Sequence, residues 1–467
     1  MENKSLWNKY NSKQLKELES FTEGYKKFIS DCKTERECVD GIIEDIEKEG
    51  YIDINKVIKS QKKVKAGDKI YAVNMNKSLI MINVGSKPLE EGVNILGAHI
   101  DSPRLDVKAN PLYEEGDFAY LDTHYYGGIK KYQWVTIPLA LHGTVVKKDG
   151  TSVIINLGEE DDDPVFFISD LLIHLASEQM EKKANKVIEG EDLDIIIGNK
   201  PYISKDDKNK DDKEKDSVKK SVLSILKEYY DIDEEDFLSA EIEIVPSGKA
   251  KDAGFDRSMI MGYGQDDRVC AYPSYKAMLG VKKVEKTAVC ILTDKEEIGS
   301  VGATGMQSMF FENVMAEFLN LKEDYSDIKL RRMLANSSML SSDVSSAFDP
   351  TFASSFDKKN VAYLGRGMVL CKFTGSRGKS GSNDANAEYI GALRNIFAKD
   401  KVDFQLAELG KVDLGGGGTI AYMLAKYGMN VIDCGVAVLN MHAPMEVTSK
   451  ADIYETYRGY ISFIKNM

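Results

Sequence analysis

Cysteine is scarce in this 467-residue chain: six in all, at positions 32, 38, 270, 290, 371 and 434, with no CxxC spacing. That pattern excludes a structural zinc knuckle and a disulfide framework, and it suits a reducing compartment. No run of about 18 apolar residues is present, so no membrane-spanning helix is expected. The start, Met1-Glu2-Asn3-Lys4-Ser5-Leu6-Trp7, lacks the apolar centre of a signal peptide, and a cytoplasmic location is the expectation. Basic charge is also in deficit, with 62 Lys and Arg against 75 Asp and Glu and a net charge of −13. A nucleic-acid or membrane-surface binder usually shows a basic face, so neither partner is expected.

The length exceeds one ordinary domain, and 43% hydrophobic residues suffice for two cores. Leu15, Leu18, Phe21, Tyr25 and Phe28 recur at helical intervals, and Thr34-Glu35-Arg36-Glu37 opens a second helix. Short β-like runs follow at 70–73 and 78–82, leading into Val93-Asn94-Ile95-Leu96. Between 105 and 250 strand-like stretches dominate, including 133–141 and 153–155, and this reads as an inserted β-rich domain. Within it Lys205 to Lys220 carries seven Lys against six Asp or Glu with almost nothing apolar, which predicts a solvated loop. Past 251, strands (288–292, 361–364, 367–373, 431–439) alternate with helices (271–280, 304–318, 384–398, 418–427). The expected fold is α/β, a mostly parallel sheet flanked by helices. The expected domains are a catalytic one from residues 1–104 and 251–467 and an inserted one, 105–250.

Five separated elements suggest chemistry: His99 and Asp101, Asp266-Asp267, Glu296-Glu297, Asp343, and His442. Each follows or flanks a strand-like run, and open α/β sheets gather side chains from different strands at their carboxyl ends. Taken singly, each also has an ordinary reading: acidic helix caps at 266–267 and 343, a solvated acidic turn at 296–297, and strand-end or loop histidines. Jointly they supply two His and three acids, the count for two zinc ions sharing five ligands, with one glutamate left over as a base. Neighbouring glutamates can divide those roles, one holding the ion and one taking a proton. Gly415 to Gly418 lacks the Gly-Lys-Ser/Thr ending of a phosphate loop and reads as close backbone packing.

The ordered motifs Gly97-Ala98-His99-Ile100-Asp101-Ser102-Pro103, Asp266-Asp267-Arg268, Asp294-Lys295-Glu296-Glu297-Ile298-Gly299-Ser300, Ser342-Asp343 and Met441-His442 resemble the dinuclear zinc aminopeptidases that include aspartyl aminopeptidase and yeast vacuolar aminopeptidase I. The resemblance covers nearly the whole chain. It implies a zinc-exopeptidase-like fold whose insert dimerises the chain and gates substrate. It also implies two Zn2+ per subunit, with Co2+ or Mn2+ tolerated: His99 and Asp343 on one, Glu297 and His442 on the other, Asp266 on both. Asp101 would orient His99, Glu296 would be the general base for a water bridging the ions, and a cis peptide would follow Asp266. Substrates would be short peptides losing an acidic or neutral amino-terminal residue, with Lys372 as the cation for an acidic one and Arg377 and Lys379 nearby. His174 would reach a neighbouring subunit's site within a homo-oligomer of dimers built into a tetrahedral dodecamer. The competing expectations are a zinc carboxypeptidase or deacylase of the same fold, and a non-catalytic assembly protein.

Overall fold

A computed structural model describes residues 5–202, 216–375 and 377–467. The chain divides into two compact units, one of Met1–Ser102, Ala250–Met441 and Glu446–Met467, the other of Pro103–Lys249 and His442–Met445.

The first unit is built on a nine-stranded sheet whose centre is parallel: Ala288–Thr293, Asn94–His99, Ser338–Ser342 and Asn430–Gly435 lie side by side in that order. Every residue of the first three is buried, with an apolar centre and polar residues toward the ends, rather than alternating between buried and exposed. That is the signature of a sheet covered on both faces. Side chains alternate between the covers. Leu96, Cys290 and Leu340 join a core with Tyr25, Ile42, Tyr275 and Phe463 from helices Ser12–Asp31, Glu35–Lys48, Gln265–Gly280 and Lys450–Asn466. Ile95, Val289 and Met339 join a second core with Phe311, Phe318 and Met333 from Phe310–Lys322 and Asp327–Ala335. Thr34 and Glu37 form a reciprocal capping box that starts the second helix where the motif predicts.

Strand register decides what reaches the carboxyl edge. Thr293 pairs with His99, and Ser341 pairs with Gly97. His99, the turn after Thr293 and Asp343 therefore emerge at neighbouring strand ends. Asp343 N donates to the Cys434 carbonyl at 3.0 Å, and a Cβ on Gly435 would stand 2.0 Å from the Asp343 carbonyl oxygen. Only glycine allows that approach.

The second unit carries a six-stranded antiparallel sheet in the order Ser152–Leu157, Leu139–Val146, Ala240–Pro246, Arg104–Glu115, Phe118–Tyr126, Ile195–Gly198. Burial alternates along Phe118–Tyr126, as in a one-sided strand, whereas Leu139–His142 and Ile242–Pro246 are buried throughout. Of the charged run, 205–215 lie outside the described residues, while Ser217 to Lys220 open the helix Ser217–Tyr230 instead of continuing a loop.

The sheet and helices match the α/β expectation, with local corrections. No strand forms at 361–364, because Gln405 takes the Tyr363 backbone: Tyr363 N donates to Gln405 Oε1 at 2.9 Å and Gln405 Nε2 donates to Tyr363 O at 2.8 Å. Residues 131–133 form a 3-10 turn, so the strand expected from 133 begins at Leu139. The helix expected from 304 begins at Phe310, and the one expected over 418–427 shrinks to Ala421–Ala425 behind the glycine run. The stretch 431–439 splits between two sheets after Gly435. Among the described residues no helix is long and apolar enough to cross a membrane.

Gly435→Ala is expected to force the Asp343 strand end away, costing about 1–3 kcal/mol as overpacking does. A lowered urea midpoint would show it, and an unchanged midpoint would show that the strand end accommodates the added carbon without strain.

Candidate metal centre

His99 ends its strand and is 1% exposed, and Asp101, two residues on, is fully buried. One oxygen of Asp101 lies 3.2 Å from His99 Nδ1 and accepts from Glu296 N at 3.1 Å; the other accepts from Glu297 N at 3.2 Å. The Asp101 carbonyl is also 3.0 Å from Nδ1. Two acceptors at Nδ1 select the tautomer with its proton there, leaving the Nε2 lone pair for a cation. Nε2 faces Asp266 Oδ1 at 3.2 Å, Glu296 Oε2 at 3.9 Å and Asp343 Oδ1 at 4.0 Å.

The Asp266-Asp267 peptide is cis, as the resemblance implies, and it follows Gly264, whose φ of 69° is left-handed. Asp266 N donates to Glu446 Oε2 at 3.0 Å, and the Asp266 carbonyl accepts from Ser102 Oγ at 2.7 Å. The buried Arg268 guanidinium donates to the Ile100 carbonyl at 3.1 Å and to the Lys33 carbonyl at 2.8 Å, tying this turn to the chain beyond His99. Glu296-Glu297 sit in a single 3-10 turn entered through Lys295 at φ 69°. The preceding Asp294 accepts from the Thr304 hydroxyl at 2.5 Å; burial, with Glu35 and Asp101 nearby, pushes its carboxyl up to about 6.

Two triads have ligand atoms within 4.8 Å of one another: His99 with Asp266 and Glu297, and His99 with Asp267 and Asp343. Burial, reinforced by Glu296, Asp266 and Asp267, holds the Asp343 carboxyl well above the usual range, and burial does the same to Asp267. Burial opposes a charged His99, but Asp101 and Asp266 outweigh it and raise its pKa. One imidazole cannot neutralise this many carboxylates. A divalent cation fits the deficit, and a nitrogen-plus-carboxylate donor set suits zinc.

The structure thus gathers His99, Asp101, Asp266, Glu296, Glu297 and Asp343 in one unit, together with Asp267. His442 belongs to the second unit, where its Nδ1 lies 2.8 Å from the Gly128 carbonyl. Lys372, at the end of strand Met368–Cys371, stands 3.7 Å from Asp384, which also binds Lys379 at 2.9 Å. His174 is exposed in a turn. Sequence reasoning missed Glu446, whose only signal is an acidic residue opening the strand Glu446–Ser449 shortly after His442. It also missed Asp433, buried in strand Asn430–Gly435 and bonded by the Thr419 hydroxyl just past the glycine run.

Three comparisons bear on this arrangement. The family model described as aminopeptidase I zinc metalloprotease (M18) matches residues 28–464. A Clostridium acetobutylicum protein named "Probable M18 family aminopeptidase 1" is 62% identical over 465 residues, covering 100% of this chain and 98% of its own. The crystal structure of an M18-family aminopeptidase from Thermotoga maritima superposes with a TM-score of 0.93 at 42% identity, covering 100% of both chains. At 19% identity the S. cerevisiae mApe1 dodecamer shares the fold, with a TM-score of 0.75 over 94% of this chain and 95% of that one.

Burial pushes the Asp433 carboxyl up to about 7 against the lowering effect of the Thr419 hydroxyl. The folded state therefore holds a proton that the unfolded chain releases near pH 4. The resulting stabilisation is complete below about pH 4 and is lost as pH rises through about 7. Asp433→Asn should flatten the fall in urea midpoint between pH 4.5 and 7.5; an unaltered slope would assign that fall to other groups.

Proposed function

This chain belongs to the aminopeptidase I zinc metalloprotease (M18) family, and from that membership we propose the reaction its centre performs. The enzyme is an aminopeptidase and a metalloprotease. It releases amino-terminal residues from short peptides at a dinuclear zinc site, with Glu296 as general base. The observation that carries this is the Asp101 carboxylate, which meets His99 Nδ1 and both backbone N–H groups of Glu296-Glu297. A single buried group thereby sets a ligand and the base in one frame.

His99 and Asp343 would hold one ion and Glu297 the other, with Asp266 available to both; His442 is proposed as the remaining ligand on the family resemblance alone. Bound zinc supplies Lewis acidity for the scissile carbonyl and acidifies the attacking water. Glu296 takes the proton of that water and returns it to the leaving amine, a transfer for which its partly exposed carboxyl is suited. Asp101 keeps His99 in the Nδ1–H tautomer throughout. Zinc is the proposed native metal; Co2+ and Mn2+ suit the same donors.

Asp384 already compensates Lys372 and Lys379, which favours a neutral over an acidic terminal residue. Around His174, Leu171, Leu172, Ile173 and Leu175 are 47%, 54%, 68% and 67% exposed, an apolar strip suited to a second copy of the chain. With the yeast relative solved as a dodecamer, this supports a homo-oligomer in which His174 reaches a neighbour's site. Peptide turnover in the cytoplasm is the proposed role.

Aminoacyl substrates of Asp, Glu, Leu, Met and Lys, with free and acetylated amino groups, test the reading before and after chelation and zinc restoration. Zinc-dependent release from free amino termini alone, Leu or Met ahead of Asp, is expected; cleavage of acetylated substrates would favour a deacylase or carboxypeptidase. Glu296→Gln is expected to keep its zinc while kcat falls by about two to four orders of magnitude; retained activity removes Glu296 as the base.

A further inference from the structure

A groove of about 1240 Å³ opens in the first unit, away from the metal-ligand cluster. Its cations come from two elements: Lys358, Lys359 and Arg366 from the loop before strand Met368–Cys371, and Arg394 from helix Ala387–Asp400. None of the four forms an ion pair among the described residues. Arg366 lies over the Tyr363 ring at 4.3 Å and Lys358 over the Phe348 ring at 5.8 Å, contacts that leave both charges uncompensated. The one carboxylate in the lining, Asp403, is taken by Lys9 at 2.5 Å. In a chain of net charge −13, four cations without an ion pair around one cavity, of which Lys359 also acts on the Asp357 carboxylate, are a local field of the opposite sign. Between them Val361, Ile390, Val402 and Leu406 contribute apolar lining.

Register relates this groove to the metal centre. Ser342 pairs with Cys434, Cys434 with Leu370, and Leu370 with Leu406. Leu406, in the groove wall, is thus level with the residue before Asp343 and three strands away. Three spacings of about 4.8 Å make roughly 14 Å. An extended peptide covers that in about four residues at ~3.3–3.6 Å each.

We propose that this groove is a recognition site for the downstream part of peptide substrates, taking acidic side chains, with an apolar residue between them, from about the fifth position onward. The inference rests on the aminopeptidase reading and adds a substrate class to it. The preference concerns residues far from the cleaved bond, so it is independent of which terminal residue is released. Binding energy gained there acts equally on the bound substrate and the transition state, and therefore lowers KM without raising kcat.

The test compares initial release of leucine from the heptapeptide amides Leu-Ala-Ala-Ala-Glu-Leu-Glu and Leu-Ala-Ala-Ala-Gln-Leu-Gln, with leucyl p-nitroanilide, too short to reach the groove, as reference. The zinc-loaded full chain and its Arg366→Gln/Arg394→Gln variant are assayed at low and high salt. The expected result is a KM about tenfold lower for the Glu peptide at equal kcat, the gap closing in about 0.5 M salt and in the double variant. Equal KM values for the two peptides overturn the proposal, as does a gap that survives the double substitution. Loss of all hydrolysis by the unaltered enzyme, anilide included, would sink the aminopeptidase reading and this inference with it.

Discussion

Burying a carboxylate costs several kcal/mol unless every lone pair is met, and Asp101 meets that cost by binding the three groups the centre needs in fixed relation. Its oxygens meet His99 Nδ1 and the backbone N–H groups of Glu296 and Glu297. The same contacts set the imidazole tautomer, so Nε2 is turned toward Asp266 and Asp343. Without that carboxylate the Glu296 and Glu297 N–H groups would lose the acceptor that fixes their turn, and the Asp101 carbonyl alone would hold the proton on His99 Nδ1.

What brings these residues to Asp101 is the parallel centre of the sheet. Strands buried on both faces carry mostly apolar side chains along their length, Asp433 being an exception, so most polar chemistry gathers where they stop. Three adjacent strands stop at one level: Asn94–His99, Ala288–Thr293 and Ser338–Ser342. The fourth, Asn430–Gly435, supports Asp343 through the Cys434 carbonyl and the bare Cα of Gly435. Polar residues beyond these ends then trim the geometry, Glu446 and Ser102 at the Asp266 backbone and Arg268 at the Ile100 carbonyl.

Much of the fold was legible where burial dictates residue type locally. Ala288 to Leu292 reads as a strand because a two-faced strand admits mostly apolar side chains, and Thr34 with Glu37 reads as a helix start because the box is local. The failures lie where a distant residue decides. Gln405 removes the 361–364 strand from 42 residues away. The shortening of the 418–427 helix accompanies a Thr419 hydroxyl committed to Asp433. Propensity does not see such competition for backbone and side-chain partners.

By itself the sequence determined which residues flank strand ends, His99, Asp101, Glu296, Glu297 and Asp343 among them, because each follows an apolar run and histidine is rare in this chain. It also determined the α/β class, because helical and two-faced strand patterns are written in hydrophobicity. Only the tertiary structure decided that Asp101 serves three partners, that Glu446 and Asp433 belong to the surroundings of the centre, and that Asp384 compensates Lys372. Those roles depend on distances between residues far apart in the chain, and such distances are set by strand register and packing, which no local stretch of sequence encodes.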